Sequence, residues 1–231
     1  LGHLKVFVDG SLGSQTAWML DPFEGTEDNF GVVVTPVEEI EEIVREGQRH
    51  GWAISVHAIG DRANRELLDI FEELANARPA DLAFPHRIEH VQTIQPDDLP
   101  RLAGLGIVAS VQPIHATDDY IAVGRLWGDR AANSYRFRTL LDSGATLALG
   151  SDAPVANPNP FTGIHAAVTR QRADGSPEGG WFPEERLTVE EAIYGYTVGA
   201  ARALGWDNEL VRLAPGYHAD LIVLACDLLV F

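Results

Sequence analysis

The feature that most constrains this chain is an alternation. Five short runs rich in apolar and β-branched residues recur along it: 4–8 (Leu-Lys-Val-Phe-Val), 53–57 (Ala-Ile-Ser-Val-His), 86–90 (His-Arg-Ile-Glu-His), 107–111 (Ile-Val-Ala-Ser-Val) and 146–149 (Thr-Leu-Ala-Leu). Segments with helical spacing lie between them. Strands that alternate with helices build a parallel sheet with helices packed against it, an α/β architecture. Strands covered on both faces read as nearly continuous apolar runs, and four of the five do. The run around Ile88 is polar at almost every position, which points to a site there.

Thr35-Pro36-Val37-Glu38 reads as a capping box that opens a helix, with Val37, Ile40 and Val44 as its inward stripe and Gly51 past its end. A second helix is predicted over 62–77, with Leu67, Phe71 and Leu74 facing inward. Thr188-Val189-Glu190-Glu191 is another capping box, opening a long helix through Ala203 that stops at Gly205. The stretch 10–34, rich in Gly, Ser, Asp and Thr, reads as a loop over the mouth of the sheet, and the region around 118–136 as a further loop. A closed eight-stranded barrel takes about 250 residues. Five strand–helix units and a tail in 231 residues therefore fit part of a (β/α)8 barrel of the TIM type. The tail reads as a turn and an apolar strand that begin a separate small β domain, dividing the chain into 1–212 and 213–231. A start at Leu1-Gly2-His3 and a stop inside the apolar run at 228–231 read as a piece of a longer protein.

Charge narrows the partners. Lys and Arg total 17 against 34 Asp and Glu, a formal net charge of −17 that argues against nucleic acid or an anionic membrane as partner. No stretch approaches the roughly 18 apolar residues of a spanning helix. The single cysteine, Cys226, excludes an internal disulfide framework. With no leader pattern, it reads as a cytoplasmic chain.

The polar residues at the run ends carry the chemistry. His57 and His90 each close a run, and Asp152 follows the last one. In a parallel barrel the C-terminal strand ends surround one mouth, where active sites lie. Lys5 stands between apolar neighbours, where a free ammonium would be expensive to bury. Two imidazoles, a carboxylate and a lysine fit a hydrolytic metal site. Neutral imidazole and carboxylate suit zinc, and an open position would hold water with its pKa lowered toward about 7. A nearby carboxylate then takes the water proton and passes it to the leaving nitrogen. Blander readings stand beside these: Lys5 with its stem buried and its head reaching water, strand-end histidines satisfied by backbone, and Asp152 shaping a turn before Ala153-Pro154. His115 is either a substrate contact or a plain loop histidine. Arg87 and Glu89 read as a structural ion pair beneath the mouth, with substrate-facing groups as the alternative, and Asp61 reads as a helix N-cap. Asp9 and the glycines after it either shape the site loop or only turn the chain.

Lys-Val-Phe-Val-Asp-Gly-Ser-Leu-Gly-Ser at 5–14, Val-His-Ala-Ile-Gly-Asp at 56–61, Arg-Ile-Glu-His at 87–90 and Gly-Ser-Asp-Ala-Pro at 150–154 together resemble the amidohydrolase superfamily, above all its amidohydrolase-3 subgroup, which includes N-substituted formamide deformylases. Residues 217–224 resemble the return of such chains to a small β-sandwich. The resemblance implies strands four to eight of a distorted barrel, with one or two divalent ions, zinc by preference, at its mouth. It implies Lys5 as a lysine often carboxylated to bridge two metals, His57 and His90 as ligands, and Asp152 as ligand and proton shuttle. The implied activity is hydrolysis of a small amide or N-formyl substrate. A deaminase, a cyclic-amide hydrolase and a non-catalytic relative used for binding are the alternatives. The family's His-X-His ligand pair occurs nowhere here, so the resemblance implies a fragment inactive alone, whose open sheet edges invite self-association into homo-oligomers.

Overall fold

The computed structural model describes residues 2–75, 82 and 84–230. Strands β1 (His3–Phe7), β2 (Ala53–Ala58), β3 (Arg87–His90), β4 (Val108–Val111) and β5 (Thr146–Leu149) form a five-stranded parallel sheet in chain order. Helix α1 (Val37–Arg49) follows β1, α2 (Asp61–Glu73) follows β2, and α3 (Leu99–Leu105) follows β3. Helices α4 (Pro113–Trp127) and α5 (Phe137–Asp142) separate β4 from β5, and α6 (Pro160–Thr169), α7 (Val189–Tyr194) and α8 (Ala200–Ala203) come after it. Among the described residues no helix is long and apolar enough to cross a membrane.

Strand side chains point alternately to the two faces. The register aligns Val6, Val56, Ile88, Ala109 and Leu147 in one row, all buried in the core. The opposite face carries Lys5, Ser55 and Arg87 in one row and Phe7, His57, Glu89 and Ser110 in the next. Here the expectation for Lys5 is corrected: it is exposed. Leu4 and Val6, its apolar neighbours in sequence, do not enclose it, because alternation turns them to the other face. The polar run around Ile88 has the same cause. Ile88 and His86 turn inward, the His86 ring stacked on Phe71 with centroids 5.1 Å apart, while on the other face Arg87 Nε donates to Glu89 Oε1 at 2.6 Å and Ser55 Oγ donates to the same oxygen at 2.5 Å.

The two capping boxes part ways. Pro36 occupies the N-cap of α1 with φ −53° and ψ 144°, and no side chain caps that end. The helix starts one residue later than the sequence pattern requires, which leaves Thr35 outside it. At α7 the box forms: Thr188 Oγ1 accepts from the Glu191 N–H at 3.2 Å, and Glu191 accepts from the Thr188 N–H at 2.7 Å. Arg138 grips both oxygens of the same carboxylate and is the main reason its pKa falls from 4.5 to about 2. A depressed carboxylate stabilises the fold above its unfolded value and loses that contribution as pH falls toward the folded one. Glu191→Gln is therefore expected to cost about 1 kcal/mol at neutral pH, after discounting for solvent screening. The gap to the parent should close as pH drops from 4.5 toward about 2, as read by urea unfolding across that range.

Three other local expectations change. The N-cap of α2 is Gly60, and Asp61 is the first helical residue. Its carboxylate accepts from the Leu20 N–H at 2.9 Å and from Gln95 Nε2 at 2.6 Å, tying two loops together. Helix α2 ends at Glu73, and residues 76–77 of the predicted helix lie outside the described residues. The segment expected as a loop from 118 is helical to Trp127, because Ala116, Val123, Leu126 and Trp127 form a buried stripe. The last helix continues from α7 to α8 through a π turn at Gly195–Gly199. A Cβ on Gly199 would lie 1.9 Å from the Leu147 carbonyl oxygen, so glycine is what lets this turn rest directly on β5. The stretch 221–224 pairs with no strand among the described residues, and its apolar side chains are exposed.

Candidate metal centre

The strand ends open onto one depression of about 590 Å³, whose wall includes Lys5, His57, His90, His115 and Asp152. The loop after β1 is anchored by Asp9. This buried carboxylate accepts the backbone N–H groups of Trp18 at 2.8 Å, Ile59 at 3.0 Å and Gly60 at 2.8 Å. Burial pushes its carboxyl up to about 7, with the amide donors pulling the other way. The anchor fixes Gly10 beside His57, whose Nε2 lies 2.8 Å from the Gly10 carbonyl oxygen. A carbonyl only accepts, so Nε2 carries the hydrogen and Nδ1 is the ring's lone-pair nitrogen.

His90 stands edge-on to His57, ring centroids 4.6 Å apart. Its Nδ1 is 2.8 Å from Gln112 Oε1, and Gln112 Nε2 donates to the Ser110 carbonyl at 3.3 Å. The second bond orients the amide so that its oxygen meets the ring. Nδ1 is therefore the donor, and Nε2 keeps a lone pair for a ligand. Burial, reinforced by the adjacent His57, lowers the His90 pKa to about 4. Burial also lowers that of His57. Both rings are thus neutral near pH 7, the form that binds a metal.

His115 lies not in a loop but in the first turn of α4, its ring facing that of His90 at 6.2 Å. Its Nε2 is buried and has no hydrogen-bond partner. Asp152 is exposed after β5. The ligand atoms of His90, His115 and Asp152 all lie within 4.8 Å of one another. Lys5 and His57 share the cavity wall but not this tight group. The Lys5 ammonium sits 5.1 Å above the Phe7 ring, and partial desolvation, with Glu89 opposing and Arg87 adding, lowers its pKa. His90 (φ 78°), Val91 (φ 42°) and Asp152 (φ 55°) all occupy the left-handed backbone region. Such non-glycine conformations cost about 1 to 3 kcal/mol each and collect at functional sites. The donor set of two neutral imidazoles and a carboxylate, with a buried orphan nitrogen, fits a divalent cation.

Sequence reasoning singled out His57, His90 and Asp152 by their places at run ends, and the structure brings all three to one cavity. It missed Gln112 and left Asp9 undecided. Both act by holding backbone or ring in place, and no spacing rule marks such a role.

Comparison with known proteins follows the same line. The sequence profile of the amidohydrolase family matches residues 1–231. The chain belongs to this family. It is 40% identical over 227 residues to Protein LONG AFTER FAR-RED 3 of Arabidopsis thaliana, covering 97% of this chain and 38% of that protein. It is 28% identical over 229 residues to the N-substituted formamide deformylase of Arthrobacter pascens, covering 98% of this chain and 41% of the enzyme. Among solved structures, an uncharacterized metal-dependent hydrolase from Pyrococcus horikoshii superposes with a TM-score of 0.86 at 32% identity, covering 100% of this chain and 46% of that one. The chain thus spans less than half the length of each of these relatives.

Proposed function

We propose that the protein to which this chain belongs is a metal-dependent hydrolase of carbon–nitrogen bonds in small amides or N-formyl compounds. The observation that carries this reading is the convergence of two neutral strand-end imidazoles and the Asp152 carboxylate on one open cavity. Family membership and the named activity of the Arthrobacter pascens relative support it. In this reading the sheet is part of a (β/α)8 barrel, and residues 213–231 belong to a second, β-rich unit.

His90 and Asp152 would hold a divalent ion, zinc by donor type, with His57 and a carboxylated Lys5 as further ligands from the same wall. When bound, such an ion would supply Lewis acidity to the amide carbonyl and would lower the pKa of water toward about 7. Asp152 takes the proton of the attacking water and returns it to the leaving nitrogen. Gln112 keeps the His90 lone pair directed at the cavity. Asp9 keeps Gly10 against His57, holding that ring's tautomer. The Arg87–Glu89–Ser55 network forms a neutralised floor beneath. The chain alone, without a His-X-His pair, is inactive.

The test is metal analysis and amide hydrolysis on the full-length protein. The expected result is stoichiometric divalent metal, loss of hydrolysis on prolonged chelation and recovery on adding zinc. Metal-loaded protein that hydrolyses no formyl, linear or cyclic amide overturns the reading, as does hydrolysis that survives complete metal removal.

A further inference from the structure

We propose that His115 is a metal ligand rather than a substrate contact, and that His90, His115 and Asp152 alone form a one-cation site within this chain. The inference rests on the metal-dependent reading above and assigns it a ligand that neither the sequence pattern nor the resemblance supplies. Three observations converge. The ligand atoms of the triad lie within 4.8 Å of one another, so small side-chain movements bring them to the separation of about 3.4 Å that a shared tetrahedral ion at 2.0–2.1 Å imposes. The Gln112 bridge leaves His90 with its Nε2 lone pair uncommitted. His115 Nε2 is buried with no partner, a condition that native proteins avoid unless something else satisfies the atom.

The neighbouring elements reinforce the choice. His57, on the adjacent strand, spends Nε2 on the Gly10 carbonyl and stands outside the group. His115 reaches the cavity from the first turn of α4, whose Pro113 begins the helix directly after Gln112. The residue that orients His90 and the helix that carries His115 are therefore consecutive in the chain. One short segment, 112–115, positions two imidazoles at once. The triad is also drawn wholly from β3, α4 and the loop after β5, so it needs no ligand from outside the described residues.

The experiment is titration of the metal-free 231-residue chain with cobalt(II), followed by visible absorption, with circular dichroism to check folding. The expected result is one site with the intense d–d bands of a low-coordinate ion. His115→Ala should weaken binding by about 100-fold or more, beyond the 10- to 100-fold that losing an outer partner costs. His165→Ala, a histidine elsewhere on the surface, should leave affinity unchanged. His115→Cys keeps the question answerable if the alanine variant unfolds: cobalt should then give a thiolate charge-transfer band in the near ultraviolet. Unchanged affinity in a folded His115→Ala chain overturns the proposal, as does a cysteine variant that binds cobalt without that band. Absence of any cobalt site in the parent chain overturns it too. None of these failures touches the hydrolytic reading, which amide hydrolysis by the full-length protein decides separately.

Discussion

Asp152→Ala in the full-length protein is expected to lower kcat/KM for amide hydrolysis by about 100- to 10,000-fold, the range lost with a general acid–base group. The carboxylate sits at the open edge of the cavity, with a ligand atom within 4.8 Å of those of His90 and His115. It is exposed and belongs to no helix or strand, so the fold loses little with it. Surface substitutions of this kind usually change stability by less than about 0.5 kcal/mol. The two readouts therefore separate: activity should collapse while the unfolding midpoint stays put. Asp152→Asn, which keeps the shape and removes the base, should be nearly as damaging as alanine. Either variant retaining more than half the parental activity would remove Asp152 from the mechanism.

Asp9→Ala is expected to destabilise the chain by about 4 kcal/mol. Three backbone N–H groups, those of Trp18, Ile59 and Gly60, converge on this carboxylate in the interior. Each donor left unsatisfied costs about 1 to 3 kcal/mol. The junction is tight: a Cβ on Gly60 would stand 1.9 Å from the Trp18 carbonyl oxygen. The loss is a large share of the 5 to 15 kcal/mol that separates most folded domains from their unfolded chains. Asp9→Asn should cost less, since the amide oxygen still accepts while its NH₂ group opposes a donor. Urea unfolding measures both, and an alanine variant within 1 kcal/mol of the parent would show that the loop is held some other way.

What the sequence made legible followed from periodicity. Strands appeared as apolar runs and helices as stripes such as Leu67 and Phe71, because burial on one face imposes its period on composition. Run-end histidines could be singled out because a parallel sheet has only one end where chemistry gathers. Lys5 misled for a related reason: neighbours in sequence lie on opposite faces of a strand. Thr35 and Thr188 carry equally good capping patterns, yet only one box forms, since a one-residue shift in the helix start is invisible in the pattern. The plain-loop reading of His115 fails because Pro113 starts a helix two residues before it. The partnership of Gln112 with His90 depends on a side-chain amide orientation set by the Ser110 carbonyl, and no linear signal encodes that.

The left-handed backbone at His90 and Asp152 bears on how such a centre persists over generations. Glycine would relax both positions, so mutation toward it would be rewarded in any lineage screened for robustness alone. In the proposed reading, these positions carry an imidazole and a carboxylate instead because durability is traded there for reactivity. A laboratory selection for heat tolerance, run without an activity screen, would be drawn to erase them first.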